Sequence, residues 1–144
     1  MRQFSDFVRM QSKPAPQPTN CLDEAFWAFC AEEKLHFQRC NGCDSWRHLP
    51  RYVCARCGSD QWRWEAASGR GTLYSWTVVH FPMHAPFSDE VPYVIALVEM
   101  SEGVRMVAQL RGVESDGLSL GMPLAVYFEA DAGRQAMPYF KPEE

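Results

Sequence analysis

The chain has 144 residues, of which 47% are hydrophobic, 13% aromatic and 22% charged, with a formal net charge of −4. That length allows one domain or two small modules sharing a core, and the composition excludes wholesale disorder. The acidic balance lacks the basic footprint of a nucleic-acid module, and no run approaches the ~18 apolar residues of a membrane helix.

The opening, Met1-Arg2-Gln3-Phe4-Ser5-Asp6-Phe7, has no apolar signal-peptide core, which points to a cytoplasmic protein whose thiols stay reduced. Residues 1–20 read as a tail. Phe4, Phe7 and Val8 are spaced for a short amphipathic turn that either docks on a partner or frays. The alternating prolines of Lys13-Pro14-Ala15-Pro16-Gln17-Pro18 favour an extended spacer. Thr19 or Asn20 can cap a helix beginning near Cys21, with Asp23 and Glu24 in its positive first turn. Leu22, Phe26 and Phe29 share one face of it. Trp27 lies on another side, either packing within the chain or touching a second protein. Cys21 and Cys30 have no histidine context of a nucleophile and read as buried helix cysteines.

From Leu35 to Glu65 short strands are interrupted by two Cys-x-x-Cys pairs, Cys40-Asn41-Gly42-Cys43 and Cys54-Ala55-Arg56-Cys57. Two-residue spacing lets both sulfurs of a turn reach one ion, and two such turns supply a closed tetrahedral sulfur site suited to structural zinc. Iron held in rubredoxin style uses similar ligands, and spacing does not distinguish the two. A disulfide pair needs an oxidising compartment, and a redox Cys-x-x-Cys needs an alternating β-α pattern that is absent here. Gly58 after the second pair permits a positive φ, and Asp44 at the matching place tolerates one. Residues 35–66 carry Arg39, Arg47, Arg51, Arg56 and Arg63 against Asp44, Asp60 and Glu65. A zinc ion with four thiolates contributes about −2, so the segment is near neutral.

After Ser68-Gly69-Arg70-Gly71 the pattern turns to β. Thr72 to Phe81 is rich in β-branched and aromatic residues. Tyr93–Met100 and Val104–Leu110 form a hairpin turning at Ser101-Glu102-Gly103, and Leu124–Phe128 follows as a further strand. Short strands at this spacing indicate a small barrel or sandwich. The Pro-containing loop from Pro82 to Pro92 is long enough to be functional or mobile. His80, His84, Asp89 and Glu90, in or beside it, are the cluster to test for acid–base chemistry. A loop histidine without a defined partner is ordinarily solvated or structural. No nucleophile elbow, phosphate loop or second metal motif accompanies it, so autonomous catalysis is not expected.

Phe26-Trp27, Phe37-Gln38-Arg39-Cys40-x-x-Cys43, Leu49-Pro50-Arg51, Cys54-x-x-Cys57-Gly58, Ser68 through His80 and Pro92 through Val98 follow one another in order. With Gly121-Met122-Pro123 and Pro138 through Pro142, this set resembles the OB-fold acyl-CoA-associated family. Its members join a rubredoxin-like zinc ribbon to an OB-fold barrel, and the resemblance runs from about Cys21 to Pro142. Asp44 and Ala55 stand where the family usually has glycine and proline, and neither change removes a ligand. The resemblance implies a mainly β chain: tail and N-terminal helix over 1–34, zinc ribbon over 35–66 and a C-terminal OB-fold β-barrel over 67–144. It implies an accessory protein that binds a thiolase-superfamily, aldolase or enoyl-CoA hydratase-like enzyme as a homo- or hetero-oligomer, and helps accommodate acyl-CoA in lipid or steroid metabolism.

For coenzyme A, Arg51, Arg70 and Lys141 are candidate phosphate contacts, and Tyr74 or Trp76 can stack an adenine or line a pantetheine channel. Against this, Trp76 fits ordinary barrel core and Arg70 a strand-flanking charge. The alternative reading is a single-stranded nucleic-acid-binding module using Tyr74, Trp76 or Phe81 with basic neighbours. Net charge and the acidic Glu143-Glu144 oppose it.

Overall fold

A computed structural model describes residues 13–131 and 133–144; the amphipathic turn expected at Phe4, Phe7 and Val8 lies outside them. One helix, α1 (Cys21–Ala31), precedes a three-stranded sheet of β1 (His36–Cys40), β2 (Trp46–Arg47) and β3 (Trp62–Ala66), in the order β2-β1-β3. A closed barrel follows, made of β4 (Arg70–Val79), β5 (Tyr93–Met100), β6 (Arg105–Leu110), β7 (Pro123–Ala130) and β8 (Ala136–Pro142), in the order β4-β5-β6-β8-β7. The mainly β architecture, with one helix, a small cysteine-bearing sheet and an OB-type barrel, is the expected one.

Asn20 is the cap of α1: its Oδ1 accepts from the Leu22 and Asp23 N–H groups, both at 2.9 Å, and Asp23 and Glu24 occupy the first turn. Thr19 instead donates to Asp23 at 3.1 Å. The buried stripe is Leu22, Phe26 and Cys30, spaced i, i+4, i+8. Phe29, expected on that stripe, turns toward the small sheet and stacks on His36 with ring centroids 4.1 Å apart. Trp27 meets Phe26 edge-on at 5.2 Å and is half-buried against the barrel core. Both aromatic faces of the helix therefore pack within the chain, on different modules. Cys30 is fully buried and burial pushes its thiol up to about 12. Cys21 corrects the expectation of two buried cysteines. It is the first helical residue and exposed, with Sγ 3.3 Å from the Tyr52 hydroxyl.

Period-two alternation fills the barrel. On β5, Val94, Ala96, Val98 and Met100 point inward, joined by Leu73, Met106, Leu110, Leu124 and Phe140. The chain closes through Arg70↔Ala125 and Gly71↔Leu124 between β4 and β7, and through the parallel contact Leu110↔Phe140 between β6 and β8. Gly71 is required for that closure. A Cβ there would overlap the Glu99 carbonyl oxygen and lie 2.7 Å from Val98 Cγ1. β8 carries two prolines and does not read as a strand from sequence. Pro138 and Pro142 share the parity of Phe140, whose carbonyl accepts from Arg111 on the β6 side. Their missing N–H groups thus face the side where only one register pair exists, and the β7 ladder is left intact.

Where helix, small sheet and barrel meet, His48 lies between Phe26 and Phe37, with ring centroids 5.0 and 4.9 Å away. Burial lowers its pKa from 6.5 to about 4. The unfolded chain therefore takes up the proton first, and the stability this ring contributes is complete above pH 6.5 and lost as pH falls toward 4. Denaturant titrations should show the native chain losing about 2 kcal/mol more than His48→Phe between pH 7.5 and pH 5. Parallel pH profiles would contradict this placement.

Candidate metal centre and the surfaces around it

The two cysteine turns repeat one another bond for bond. The Asp44 N–H donates to the Cys40 carbonyl at 3.0 Å, and Gly58 N–H to Cys54 at 2.9 Å. Cys40 N–H reaches Ser45 at 2.9 Å, and Cys54 N–H reaches Ser59 at 2.8 Å. A backbone N–H points at the first sulfur of each turn: Gly42 to Cys40 Sγ at 3.3 Å and Arg56 to Cys54 Sγ at 3.4 Å. Asp44 and Gly58 take φ values of 60° and 79°, as their positions predict. Asp44 is held by Arg63 at 2.9 Å, a contact that keeps its carboxyl below the usual carboxylate range.

The four sulfurs lie within 4.8 Å of one another, with Cys40–Cys57 at 3.5 Å and Cys43–Cys54 at 3.8 Å. A metal bound tetrahedrally to four thiolates at ~2.3 Å sets sulfur–sulfur edges of roughly 3.8 Å. The sulfur cage has that size, and all four cysteines are free of disulfides. These residues are positioned to hold a metal ion. Gly42 allows the two turns to approach, since a Cβ there would lie 3.1 Å from Ser59 Cβ and 3.2 Å from Cys57 Sγ.

Ser45, which spacing alone did not single out, stands 3.0 Å from Cys43 Sγ and 3.5 Å from Cys54 Sγ. Its hydroxyl, followed by the Cys57 and Arg56 backbone, holds the Cys54 thiol down to about 5. Cys57 moves the other way, to about 11. The Ser59 backbone lowers it, but the neighbouring Cys40 sulfur, desolvation and the Cys43 and Cys54 sulfurs together prevail. A divalent cation relieves the crowding of the sulfurs. Gln38 was likewise missed. It is fully buried, and its Oε1 accepts from Arg47 Nε at 2.9 Å and Arg51 N–H at 2.7 Å. One side chain thus fixes the segment leading from β2 to the second cysteine turn. Nothing in a local pattern reveals it, because its partners lie 9 and 13 residues away.

The five coenzyme A candidates are not brought into one cleft. Arg51 is exposed on the ribbon. The Tyr74 ring, at a bulge in β4, is covered by the Arg105 guanidinium 3.8 Å from its centroid. Trp76 packs against the barrel core. Arg70 lines a shallow cavity with Thr72, Glu99 and Ser101, and pairs with Glu143 at 2.9 Å. Arg70 and Lys141 are nonetheless related, since both lie in register with Ala125 on β7 and so project from the same barrel face.

The loop cluster also separates. Glu90 pairs with Arg111 at 2.8 Å and Lys13 at 3.0 Å. Among the described residues no hydrogen bond joins His80 or His84 to a carboxylate. Glu90 belongs to an ionic cluster in which Asp131 accepts from Arg134 at 2.8 Å and from the Tyr139 hydroxyl at 2.9 Å. Burial and that bond push Tyr139 up to about 12. Among the described residues no helix is long and apolar enough to cross a membrane.

A cysteine ribbon of this geometry, joined through one helix to a five-stranded closed barrel, defines the class: a metal-ribbon and OB-barrel protein. Residues 27–63 match the family described as the ChsH2 rubredoxin-like zinc ribbon domain, and residues 64–129 match the ChsH2 C-terminal OB-fold domain. The chain belongs to this ChsH2-type family, known also as DUF35. A probable enoyl-CoA hydratase alpha subunit of Thermomonospora curvata is 42% identical over 129 residues, which cover 88% of this chain and 40% of that protein. The 3-oxo-4,17-pregnadiene-20-carboxyl-CoA hydratase alpha subunit of Mycobacterium tuberculosis is 38% identical, covering 78% of this chain and 36% of its own length. The chain thus spans about two fifths of the length of these two relatives. A DUF35 domain-containing scaffold protein of Methanocaldococcus jannaschii is 31% identical, covering 74% of this chain and 79% of that one. Among solved structures, a chain of the Ltp2-ChsH2(DUF35) aldolase is 38% identical, with a TM-score of 0.79 over 88% of this chain and 98% of that chain.

Two outcomes test the site. Metal analysis should find one ion per chain, and a strong chelator should raise amide exchange across residues 40–61 while β5 and β6 keep their protection. Full protection after complete metal removal would contradict a structural role. Gln38→Leu should lower stability by about 1–3 kcal/mol in denaturant titrations, because it removes the buried acceptor shared by the partly buried Arg47 Nε and Arg51 N–H donors; an unchanged midpoint would contradict it.

Proposed function

We propose that the chain is a non-catalytic accessory subunit that binds an acyl-CoA enzyme of thiolase, aldolase or hydratase type and helps accommodate its acyl-CoA, in cytoplasmic lipid or steroid metabolism. The observation that carries this reading is the likeness to nearly the whole of one chain of an aldolase assembly, at 38% identity. Two features of the molecule support it. The proposed ligands Cys40, Cys43, Cys54 and Cys57 close a four-sulfur cage, which suits structural zinc and offers no open coordination position to a substrate. Among the described residues no hydrogen bond joins His80 or His84 to Asp89, Glu90 or another carboxylate, and Glu90 is occupied in ion pairs.

The barrel's share in holding coenzyme A rests on Arg70 and Lys141. Two strand spacings apart, roughly 10 Å, they flank Ala125 and present two cations to a phosphorylated arm. Arg51, Tyr74 and Trp76 sit apart from that pair and contribute, in this reading, to other contacts of the assembly.

Coexpression tests the proposal. Thiolase-like and hydratase-like enzymes of the same host are produced with and without this chain, and soluble yield and turnover of acyl-CoA are compared. A several-fold loss of one of them without this chain is expected, since an enzyme deprived of a large apolar interface loses stability. Equal yield and activity for every such enzyme would overturn the accessory reading.

A further inference from the structure

β6 is laddered along one edge only. On that edge it pairs with β5, from Val94↔Leu110 to Glu99↔Arg105, and just beyond, the Met100 N–H donates to the Val104 carbonyl at 2.8 Å. That bond fixes the phase of the ladder. Hydrogen-bonded pairs recur at every second residue, so Met106, Ala108 and Leu110 turn their N–H and C=O groups toward β5. Arg105, Val107 and Gln109 turn theirs the opposite way, toward β8. Arg111 has the same parity, and its N–H reaches the Phe140 carbonyl at 2.9 Å. Below that bond the two strands part. Among the described residues Leu110↔Phe140 is the only register pair between them. Continuing the parallel register would set the Val107 carbonyl against residue 138, a proline with no N–H to offer. The outward main-chain groups of Arg105 and Val107 thus have no ladder partner among the described residues.

This seam is open. A cavity of about 340 Å³ lies among Val107, Phe26, Trp27 and Leu49. A second, of about 150 Å³, extends it past Gln109 toward Phe87 and Met137. Trp27, Val107 and Pro138 line both, so together they form one groove. Leu49 is 68% and Val107 61% exposed there. The groove therefore joins two features, apolar walls and an unpaired strand edge, and each of them favours an occupant. Their combination selects its chemistry. The outward groups recur every two residues, roughly 7 Å, which is the repeat of an extended backbone. A helix satisfies its main-chain groups internally, and an acyl chain has none. A second copy of this chain is also a poor match. Its β6 edge is walled by its own Trp27 and Pro138, so two such edges cannot meet, whereas a single extended segment can enter.

On the accessory-subunit reading, on which this inference rests, we propose that the groove receives an extended segment of the partner enzyme, added to the open edge of β6 as a strand. The segment carries apolar side chains at alternate positions. Its main chain bonds the N–H and C=O groups of Val107 and Arg105, and its apolar side chains cover Trp27, Leu49 and Val107. Main-chain pairing supplies the affinity, and the walls supply the preference for sequence.

Hydrogen–deuterium exchange resolved to single amides, on the full chain alone and with the enzyme recovered by coexpression, tests this. In the free chain the Val107 amide should exchange at least about 10-fold faster than those of Met106 and Ala108, and it should slow by at least about 10-fold in the complex. Val107→Pro removes one outward N–H and leaves the β5 ladder in place. It should weaken the complex at least about 10-fold, while Val107→Ala, which keeps that N–H, weakens it less. Exchange at Met106 and Ala108 reports whether β6 survives the proline, and the native chain decides the question if it does not. A Val107 amide already slow in the free chain overturns the proposal, because the edge is then occupied without a partner. Slowing that grows with the concentration of this chain alone overturns it in favour of a second copy. A complex in which the Val107 amide stays fast overturns it and leaves the accessory reading standing. Failure of the native chain to bind any such enzyme overturns both.

Discussion

Four sulfur atoms drawn within 4.8 Å of one another are the constraint on which the rest of this molecule is built. Thiolates at that distance repel, and a cation among them turns repulsion into the strongest cross-link available to a sheet this small. β1 carries the consequence outward. It ends in Cys40, and on the same strand Gln38 fixes the path to the second cysteine turn while Phe37 packs into the common core. Placing the sulfurs therefore places Phe37 and His48, and with them the joint between ribbon, helix and barrel. The helix completes the joint because its stripe serves two modules: Leu22, Phe26 and Cys30 face the core, and Phe29 faces His36 and Trp64 of the ribbon.

Charge is used differently on the two modules. Around the sulfur cage it is local, with Arg63 holding Asp44 in a left-handed turn and Arg39 bonded to the Asp44 carbonyl at 2.9 Å. On the barrel it ties distant segments together. Glu90, Arg111, Asp131, Arg134 and Lys13 join the long loop, the end of β6, the β7–β8 turn and the spacer before the helix. That cluster anchors the loop at Glu90 while Phe81 and Met83 at its other end stay exposed, an arrangement suited to contact with another protein.

Features set by short-range rules were legible in the sequence. Cys-x-x-Cys spacing identified the ligand candidates, Asp44 and Gly58 marked the positive-φ positions, and the β5–β6 hairpin follows from alternation around Gly103. Features set by long-range pairing were hidden. β8 was masked by prolines whose harmlessness depends on which side of the strand has no ladder. Gln38 was invisible because its partners obey no period. Glu90 reads in the sequence only as a member of the loop cluster with His80, His84 and Asp89, because its partner Lys13 lies 77 residues away. Chemical type alone marks the candidate coenzyme A residues in the sequence, and the long-range barrel register is what joins Arg70 and Lys141 on one face.

On the proposed reading, this chain works as a subunit of an acyl-CoA enzyme. Mild affinity purification of the tagged full chain from its own host, with partners identified by mass spectrometry, tests it most directly. Stoichiometric recovery of a thiolase-like, aldolase or hydratase-like enzyme is expected. Recovery of the chain alone under conditions that preserve weak complexes, or with single-stranded nucleic acid in place of an enzyme, would contradict it.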